Sequence, residues 1–259
     1  MGGSENVMAK QPGSGKCVHC GEYAEKRTWD HVFPKGWYPE NTPPDIEKWK
    51  IPTCKKCNAE YGALEEDLGI RIAFCIGPDA PNAKGIYSKA LRSMDASKGR
   101  NMKDRIRRAK KRDRYLGLIM KGDDIPQEGI YPGFEDKWDR PREDQTSLRI
   151  YVHELERIVN KIIKGLVFVE DNRFLDTTTE IEHLVISDEG AKPLEKLLNK
   201  YGSRHSREPG IEVIRAIAPE DGVSALYKIT IWGQWVLYAS VSQESTQQSL
   251  ATDAKQRRG

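Results

Sequence analysis

The sequence lacks any long hydrophobic run. No apolar stretch approaches the roughly 18 to 20 residues that a helix needs to cross a bilayer. The first residues also lack the apolar core of a signal peptide. These absences exclude a transmembrane helix and argue against secretion, so we expect a cytoplasmic protein without a membrane partner.

Cysteine is scarce, and four of the five cysteines form two CxxC pairs, Cys17 with Cys20 and Cys54 with Cys57, separated by 33 residues. In a reducing compartment such pairs favour metal over structural disulfides, and four thiolates complete a tetrahedral zinc site. A redox CxxC would need a βαβ unit nearby, and no such pattern is present. We therefore predict structural zinc, and we expect the remaining Cys75 to be a small buried residue.

Excess charge of one sign is confined to a single block. The net charge is only +3, yet residues 98–114 hold ten Lys or Arg against two Asp. A basic block on a nearly neutral protein favours a polyanionic partner. Arg105, Arg108 and Arg112 recur at helical spacing, so we predict that they line one face and contact nucleic-acid phosphates. A solvated helix face is the alternative interpretation.

The hydrophobic periodicity predicts an α+β fold. Helical patterns lie within residues 58–76, 83–94, 100–119, 148–170 and 192–202. Alternation over residues 225–241 predicts a β-hairpin, and residues 211–218 could supply a third strand of a small antiparallel sheet. Trp232 and Trp235 flank the hairpin turn, where they would form either an exposed binding surface or part of the core.

Composition predicts five segments. Residues 1–15 form a disordered leader and 242–259 a disordered tail. Residues 16–76 form the cysteine module, and 77–144 a basic helical connector with a loop. Residues 145–241 form an α+β accessory domain, for which we expect a core of its own.

An acid-base pair lies between the two cysteine pairs, in the stretch WDHVFP. His31 can accept a proton near neutral pH, and oxygens of Asp30 and Asn58 suit Mg²⁺ or Mn²⁺. Phosphodiester hydrolysis needs a base for the attacking water and positive charge for the leaving oxygen. Simpler structural roles are open to all three residues: a core histidine, a turn aspartate and a helix cap.

CVHC, WDHVFP and IPTCKKCNAE, within residues 15–66, together resemble the HNH nucleases, also called His-Me finger or ββα-metal nucleases. The closest resemblance is to their zinc-stapled, four-cysteine branch of the recombination endonuclease VII type. It rests on seven ordered positions: Cys17, Cys20, Asp30, His31, Cys54, Cys57 and Asn58.

The resemblance implies a metal-dependent DNA endonuclease with a zinc-stapled module. By this likeness His31 is the general base, Asp30 and Asn58 hold a catalytic Mg²⁺ or Mn²⁺, and Cys17, Cys20, Cys54 and Cys57 hold zinc. Double-stranded DNA is the default substrate, cut to 5′-phosphate and 3′-hydroxyl ends. The family also suggests a role in bacterial or phage defence or restriction.

The chain departs from the family pattern at one position. Many relatives carry a middle asparagine that orients the base, whereas the matching position here lies near Trp49, with Asn41 as a weak substitute. Around the motif, we expect Lys35, Lys55 and Lys56 to contact nucleic acid. We expect Glu60, Glu65 and Glu66 to form a solvated helix face, on which Glu66 is the best placed to help hold the cation, and we expect His19 to be exposed.

Two other functions remain open. A zinc knuckle with a basic helix could bind nucleic acid without cutting it. Alternatively, the chain could be a regulatory subunit that works through residues 145–241, either as a homodimer or with a sensor or regulatory partner. Binding without cleavage would favour the first, and self-association or copurification with a partner would favour the second.

Overall fold

The computed structural model describes residues 11–77, 79–126, 130–133, 140–176, 178–207 and 210–243. Most of the predicted leader and tail lies outside the described residues. Within the described residues, the first strand begins at Gly15 and the last strand ends at Gln243.

The fold class is α+β, as predicted. The α-helices of the described residues are α1 (Lys55–Cys75), α2 (Ile86–Met94), α3 (Met102–Leu116), α4 (Val152–Asp171) and α5 (Asp188–Tyr201). The strands of the first half are β1 (Gly15–Lys16), β2 (Tyr23–Ala24), β3 (Arg27–His31), β4 (Lys50–Cys54), β5 (Ile119–Lys121) and β6 (Thr146–Leu148). Those of the second half are β7 (Thr179–Leu184), β8 (Ser203–Arg207), β9 (Ile211–Ile217), β10 (Ala225–Ile231) and β11 (Trp235–Gln243).

The cysteine module is built on an antiparallel hairpin followed directly by a helix. Strands β3 and β4 pair from Arg27 opposite Cys54 to His31 opposite Lys50. Helix α1 begins at the residue after β4, where the Cys54 sulfur accepts the backbone N–H of Cys57 at 3.4 Å and caps the helix. The order is therefore strand, strand, helix.

The second half contains a five-stranded antiparallel sheet in the order β7-β11-β10-β9-β8. The β10–β11 hairpin and the additional strand β9 are confirmed. The two outer strands, β7 and β8, were not predicted, because their polar sequences TEIEHL and SRHSR carry little of the apolar signal that marks a buried strand.

The expectation of a separate core for the second half is wrong. One continuous cluster of buried side chains joins the hairpin, α1, α2, α4 and the sheet, while a smaller cluster lies beneath α5. Helix α4 packs closely on the hairpin: a methyl group added at Gly165 would lie 3.0 Å from Val32 and 3.3 Å from Ile51. Helix α4 is thus part of the cysteine module's core.

The two tryptophans that flank the hairpin turn of the sheet are buried, and Trp232 packs against the same module. Trp232 and Trp235 are 1% and 2% exposed, so the buried alternative holds for both. Trp232 Nε1 donates a hydrogen bond of 2.7 Å to the carbonyl of Trp37. Trp232 adopts a positive φ of 51° and Gly233 one of 70°, values suited to a tight hairpin turn.

Two glycines of α1 should respond oppositely to alanine. A Cβ at Gly69 would lie 2.4 Å from Nε1 of the buried Trp37, which donates to the carbonyl of Glu65 at 3.0 Å. We expect Gly69→Ala to destabilise the fold by roughly 1–3 kcal/mol through overpacking. Gly62 is exposed with nothing near its Cβ position, so Gly62→Ala should stabilise by up to about 1 kcal/mol through helix propensity. Urea unfolding measures both; equal effects would contradict this packing.

Candidate active site and metal centre

Four cysteines converge between the hairpin and the start of α1. The sulfur atoms of Cys17, Cys20, Cys54 and Cys57 all lie within 4.8 Å of one another. Tetrahedral zinc with bonds of about 2.3 Å places its sulfurs about 3.8 Å apart, so this donor set fits zinc. The cluster could therefore hold a metal ion such as zinc, as the CxxC spacing predicts.

The cysteine turn and α1 hold the hairpin from two sides. The backbone N–H of Val18 donates to the carbonyl of Pro52 on β4 at 3.1 Å, and that of Cys17 donates to the carbonyl of Glu22 at 2.9 Å.

Burial raises the pKa of Cys17, but the backbone N–H groups of Cys20 and Cys54 outweigh burial, and the net pKa is lowered. A lowered pKa favours the thiolate of Cys17, which is the form that binds metal. Burial and the neighbouring cysteines raise the pKa of Cys20 and Cys57.

Asp30 lies at the end of β3, where both of its carboxylate oxygens are engaged. Oδ1 accepts the backbone N–H of His31 at 2.7 Å. Oδ2 contacts His19 Nε2 at 2.9 Å and lies 3.2 Å from the ammonium of Lys161. Burial raises the pKa of Asp30, but the hydrogen bond from His19 and the charge of Lys161 hold it below its ordinary value.

His19 is buried at 4% exposure, so the expectation that it is exposed is wrong. The turn that carries the first cysteine pair points Val18 and His19 into the protein. Burial lowers the pKa of His19 despite the neighbouring carboxylate, so its imidazole is neutral near pH 7. A carboxylate only accepts hydrogen bonds, so His19 donates through Nε2.

His31 is the last residue of β3, with its imidazole half-buried. Among the described residues, no hydrogen bond to its ring is found. Burial lowers its pKa, and the charges of Lys50, Lys161 and Lys35 lower it further, while Asp30 raises it; the net shift is downward. The imidazole of His31 is therefore neutral at neutral pH and makes no hydrogen bond within the described residues.

The backbone of His31 is held on both sides. Its N–H donates to Asp30, and its carbonyl accepts a close hydrogen bond from Lys161 on α4. The orienting contact expected from a middle asparagine is not made by Asn41, which is exposed and donates to the carbonyl of Pro81 at 3.3 Å. The backbone of His31 is thus held by one residue of the motif, Asp30, and by one that the motif does not contain, Lys161.

Asn58 lies in the first turns of α1 and joins the helix to β3. Its Nδ2 donates to Thr28 Oγ1 at 2.7 Å and to the carbonyl of Trp29 at 3.2 Å. Cys54, not Asn58, caps the helix, so the capping alternative is wrong. Asn58 fastens α1 to the strand that carries Asp30 and His31.

The residues around Asp30 do not fit a catalytic divalent cation. Carboxylate oxygens bind Mg²⁺ at about 2.0–2.1 Å, whereas Oδ2 of Asp30 already contacts an imidazole and an ammonium and Oδ1 accepts a backbone N–H. An ion on Oδ2 would share that oxygen with the positive charge of Lys161. The amide of Asn58 faces the hairpin through its nitrogen.

The acidic neighbour of the site is Glu65, not Glu66. Glu65 Oε1 lies 2.7 Å from Lys161 Nζ, so the two groups form an ion pair. Their geometry is not that of a hydrogen bond. Glu66 instead pairs with Lys111 of α3, and its side chain is 58% exposed. The solvated-face interpretation therefore describes Glu66, and a part in holding the cation is not supported, because the helical turn directs it away from the hairpin.

Two exposed lysines lie near His31, and two more lie at the other end of the hairpin. Lys50 lies opposite His31 in the hairpin and is exposed, as is Lys35 just beyond the strand. Lys55 and Lys56 are exposed at the start of α1. Sequence reasoning missed Lys50, although its place four residues before Cys54 could have indicated it once the β3–β4 register was known.

The basic helix α3 is partly neutralised by α1. Lys111 pairs with Glu66, and Arg114 contacts Asp67. Of the three predicted contact residues, Arg105 is exposed and Arg112 is exposed beside Asp113, whereas Arg108 pairs with Asp104 at 3.1 Å and donates to the Arg92 carbonyl at 2.5 Å. Of the predicted basic face, Arg105 and Arg112 are thus exposed to solvent, whereas Arg108 is engaged within the protein. Contact with nucleic acid stays a prediction.

No family model, curated protein or solved structure matches this chain. The resemblance to HNH nucleases therefore stays a prediction that depends on the motif and on the hairpin and helix that carry it. No helix in the described part of the chain has the length and apolar character needed to cross a membrane.

Proposed function

We propose that this chain hydrolyses phosphodiester bonds in nucleic acid, with His31 as the general base, in a module of the HNH type. The observation that carries the proposal is the imidazole of His31, which makes no hydrogen bond within the described residues and is flanked by Lys35 and Lys50. The backbone N–H and carbonyl of His31 are held by hydrogen bonds to Asp30 and Lys161. An uncommitted base next to surface cations suits an anionic substrate. Double-stranded DNA is the substrate class that we propose first.

The cysteine cluster acts in this proposal as a zinc-bound frame. Zinc on Cys17, Cys20, Cys54 and Cys57 joins the first turn to the β4–α1 corner, and so fixes the hairpin against the helix. A closed four-thiolate site leaves no position for substrate, so zinc supplies stability and not chemistry. The hairpin of β3 and β4 is followed by helix α1, which is the ββα order that the resemblance implies.

The chemistry assigned to the chain's own residues is proton removal and charge stabilisation. His31 takes a proton from water, and the resulting hydroxide attacks phosphorus. The bond to the 3′ oxygen breaks, leaving a 5′-phosphate, and solvent returns a proton to give the 3′-hydroxyl. Lys35 and Lys50 offset the negative charge of the bound phosphate. A role in bacterial or phage defence or restriction is part of the proposal by family likeness alone.

The proposal predicts a particular pH dependence. His31 must be neutral to accept a proton, and its pKa lies below the ordinary value of 6.5. The cleavage rate should therefore be level above about pH 6.5 and fall about tenfold per unit below the lowered pKa. Initial rates of supercoiled-plasmid nicking between pH 5 and 8 measure this, with circular dichroism confirming that the fold persists. A rate that increases as pH falls would assign the base elsewhere.

A second function is favoured by one observation. Asp30 is committed to His19 and Lys161, which is compatible with a module that binds nucleic acid without cutting it. Such a module would use the exposed cations of α3 and the hairpin as a salt-sensitive, sequence-independent surface. It would bind DNA and leave it intact at every pH. The plasmid assay therefore distinguishes the two functions.

A further inference from the structure

The ammonium of Lys161 lies among three oxygen atoms of the candidate site. Nζ lies 2.7 Å from Glu65 Oε1 and 3.2 Å from Asp30 Oδ2, and donates to the carbonyl of His31. The contact with the carbonyl is a hydrogen bond, and the contacts with the two carboxyl groups are ion pairs. Two carboxylates and a carbonyl are also the oxygen ligands that hard divalent cations prefer in proteins.

The position of this lysine is fixed. Its side chain is 0% exposed, and the ring of Tyr61 lies 6.0 Å from Nζ. One turn further along α4, Gly165 packs against the hairpin, and Lys164 donates to the carbonyl of His19 at 2.9 Å. An unpaired buried charge is costly, so the Asp30 carboxylate and the ammonium stabilise one another. Glu65 adds a second oxygen, although burial raises the pKa of Glu65 in spite of the ammonium.

We infer that Lys161 takes the place of the divalent cation expected at Asp30, so that the site holds an internal ammonium and binds no Mg²⁺ or Mn²⁺ there. Lys161 is too buried to touch substrate and acts as a positioning residue. It neutralises Asp30 and Glu65 and fixes the carbonyl of His31 from the opposite half of the chain. The role of Lys161 in catalysis rests on the proposed function, but its effect on metal binding does not.

Metal binding by the wild-type protein tests the inference without any cleavage assay. Zinc-loaded wild type and Asp30→Asn are titrated with Mn²⁺, and bound ion is measured from the loss of the free Mn²⁺ electron paramagnetic resonance signal. We expect no stoichiometric binding that depends on Asp30. One Mn²⁺ per chain in wild type, lost in Asp30→Asn, would overturn the inference even if the protein also cleaves DNA.

Removing the positive charge should create the missing site. Lys161→Gln keeps a polar group of similar length, and with the repulsion removed it should bind Mn²⁺ roughly tenfold or more tightly than wild type does. The added Asp30→Asn substitution should abolish that gain, and Lys164→Gln, one turn away, should show none. A folded Lys161→Gln without any gain contradicts the inference. If Lys161→Gln does not fold, the comparison of Mn²⁺ binding by wild type and Asp30→Asn decides whether the inference holds.

Discussion

Replacing Cys57 by serine should abolish zinc binding and destabilise the cysteine module. Structural zinc supplies about 10–16 kcal/mol of binding free energy in small zinc domains, and that energy is available only in the folded state. Here the module also shares the core with α4 and the sheet. We therefore expect part of that loss, on the order of 3–5 kcal/mol, with a melting temperature lower by about 10 °C or more.

Cys75→Ser is the matched control for this experiment. Cys75 ends α1, lies partly buried and is outside the four-sulfur cluster. It should keep one zinc per chain, whereas Cys57→Ser should contain none, as measured by elemental analysis of both purified proteins. If Cys57→Ser lost its metal and yet melted at the wild-type temperature, the cluster would not be the frame of the hairpin.

Replacing His31 by alanine should reduce DNA hydrolysis by about 10²–10⁴-fold, the usual contribution of a general base. The stability of the protein should change little, because the imidazole makes no hydrogen bond within the described residues and is half-buried. The contacts that hold the backbone of residue 31 involve its N–H and carbonyl, which alanine retains. The loss should therefore be one of chemistry and not of folding.

His153→Ala is the matched control for the base. His153 is exposed in the first turn of α4, where it stacks on Tyr151 with ring centroids 5.7 Å apart. Its rate should equal that of wild type, measured as nicking of supercoiled plasmid under single-turnover conditions. A His31→Ala rate within a few-fold of wild type would remove His31 from the chemistry.

The sequence predicts the parts of the fold that depend on local pattern. Residues Leu155, Ile158, Ile162 and Leu166 recur at helical spacing and lie on the buried side of α4. Alternation around Gly233 predicts the β10–β11 hairpin. The two CxxC pairs predict a four-sulfur cluster, because the chemistry of the ligands restricts which partners can meet.

What the sequence does not predict depends on contacts between distant segments. Lys161 and His31 are 130 positions apart, and neither the HNH motif nor the pattern of α4 links them. The apolar residues at 158, 159, 162 and 163 mark one side of α4, and Lys161 lies beside that side, so the periodicity does not predict its burial. The sequence does not predict the burial of His19, because the polar residue of a short turn is usually exposed, whereas here Asp30 provides a partner inside the protein.

The most direct test of the central proposal is to measure binding and cleavage of one end-labelled DNA duplex in parallel, using zinc-loaded wild type and His31→Ala. We expect both proteins to bind the duplex with similar affinity and only wild type to cut it, leaving 5′-phosphate and 3′-hydroxyl ends. If both proteins bind the duplex and neither cuts it, the nuclease proposal is contradicted, and the chain is better described as a zinc-framed nucleic-acid-binding module.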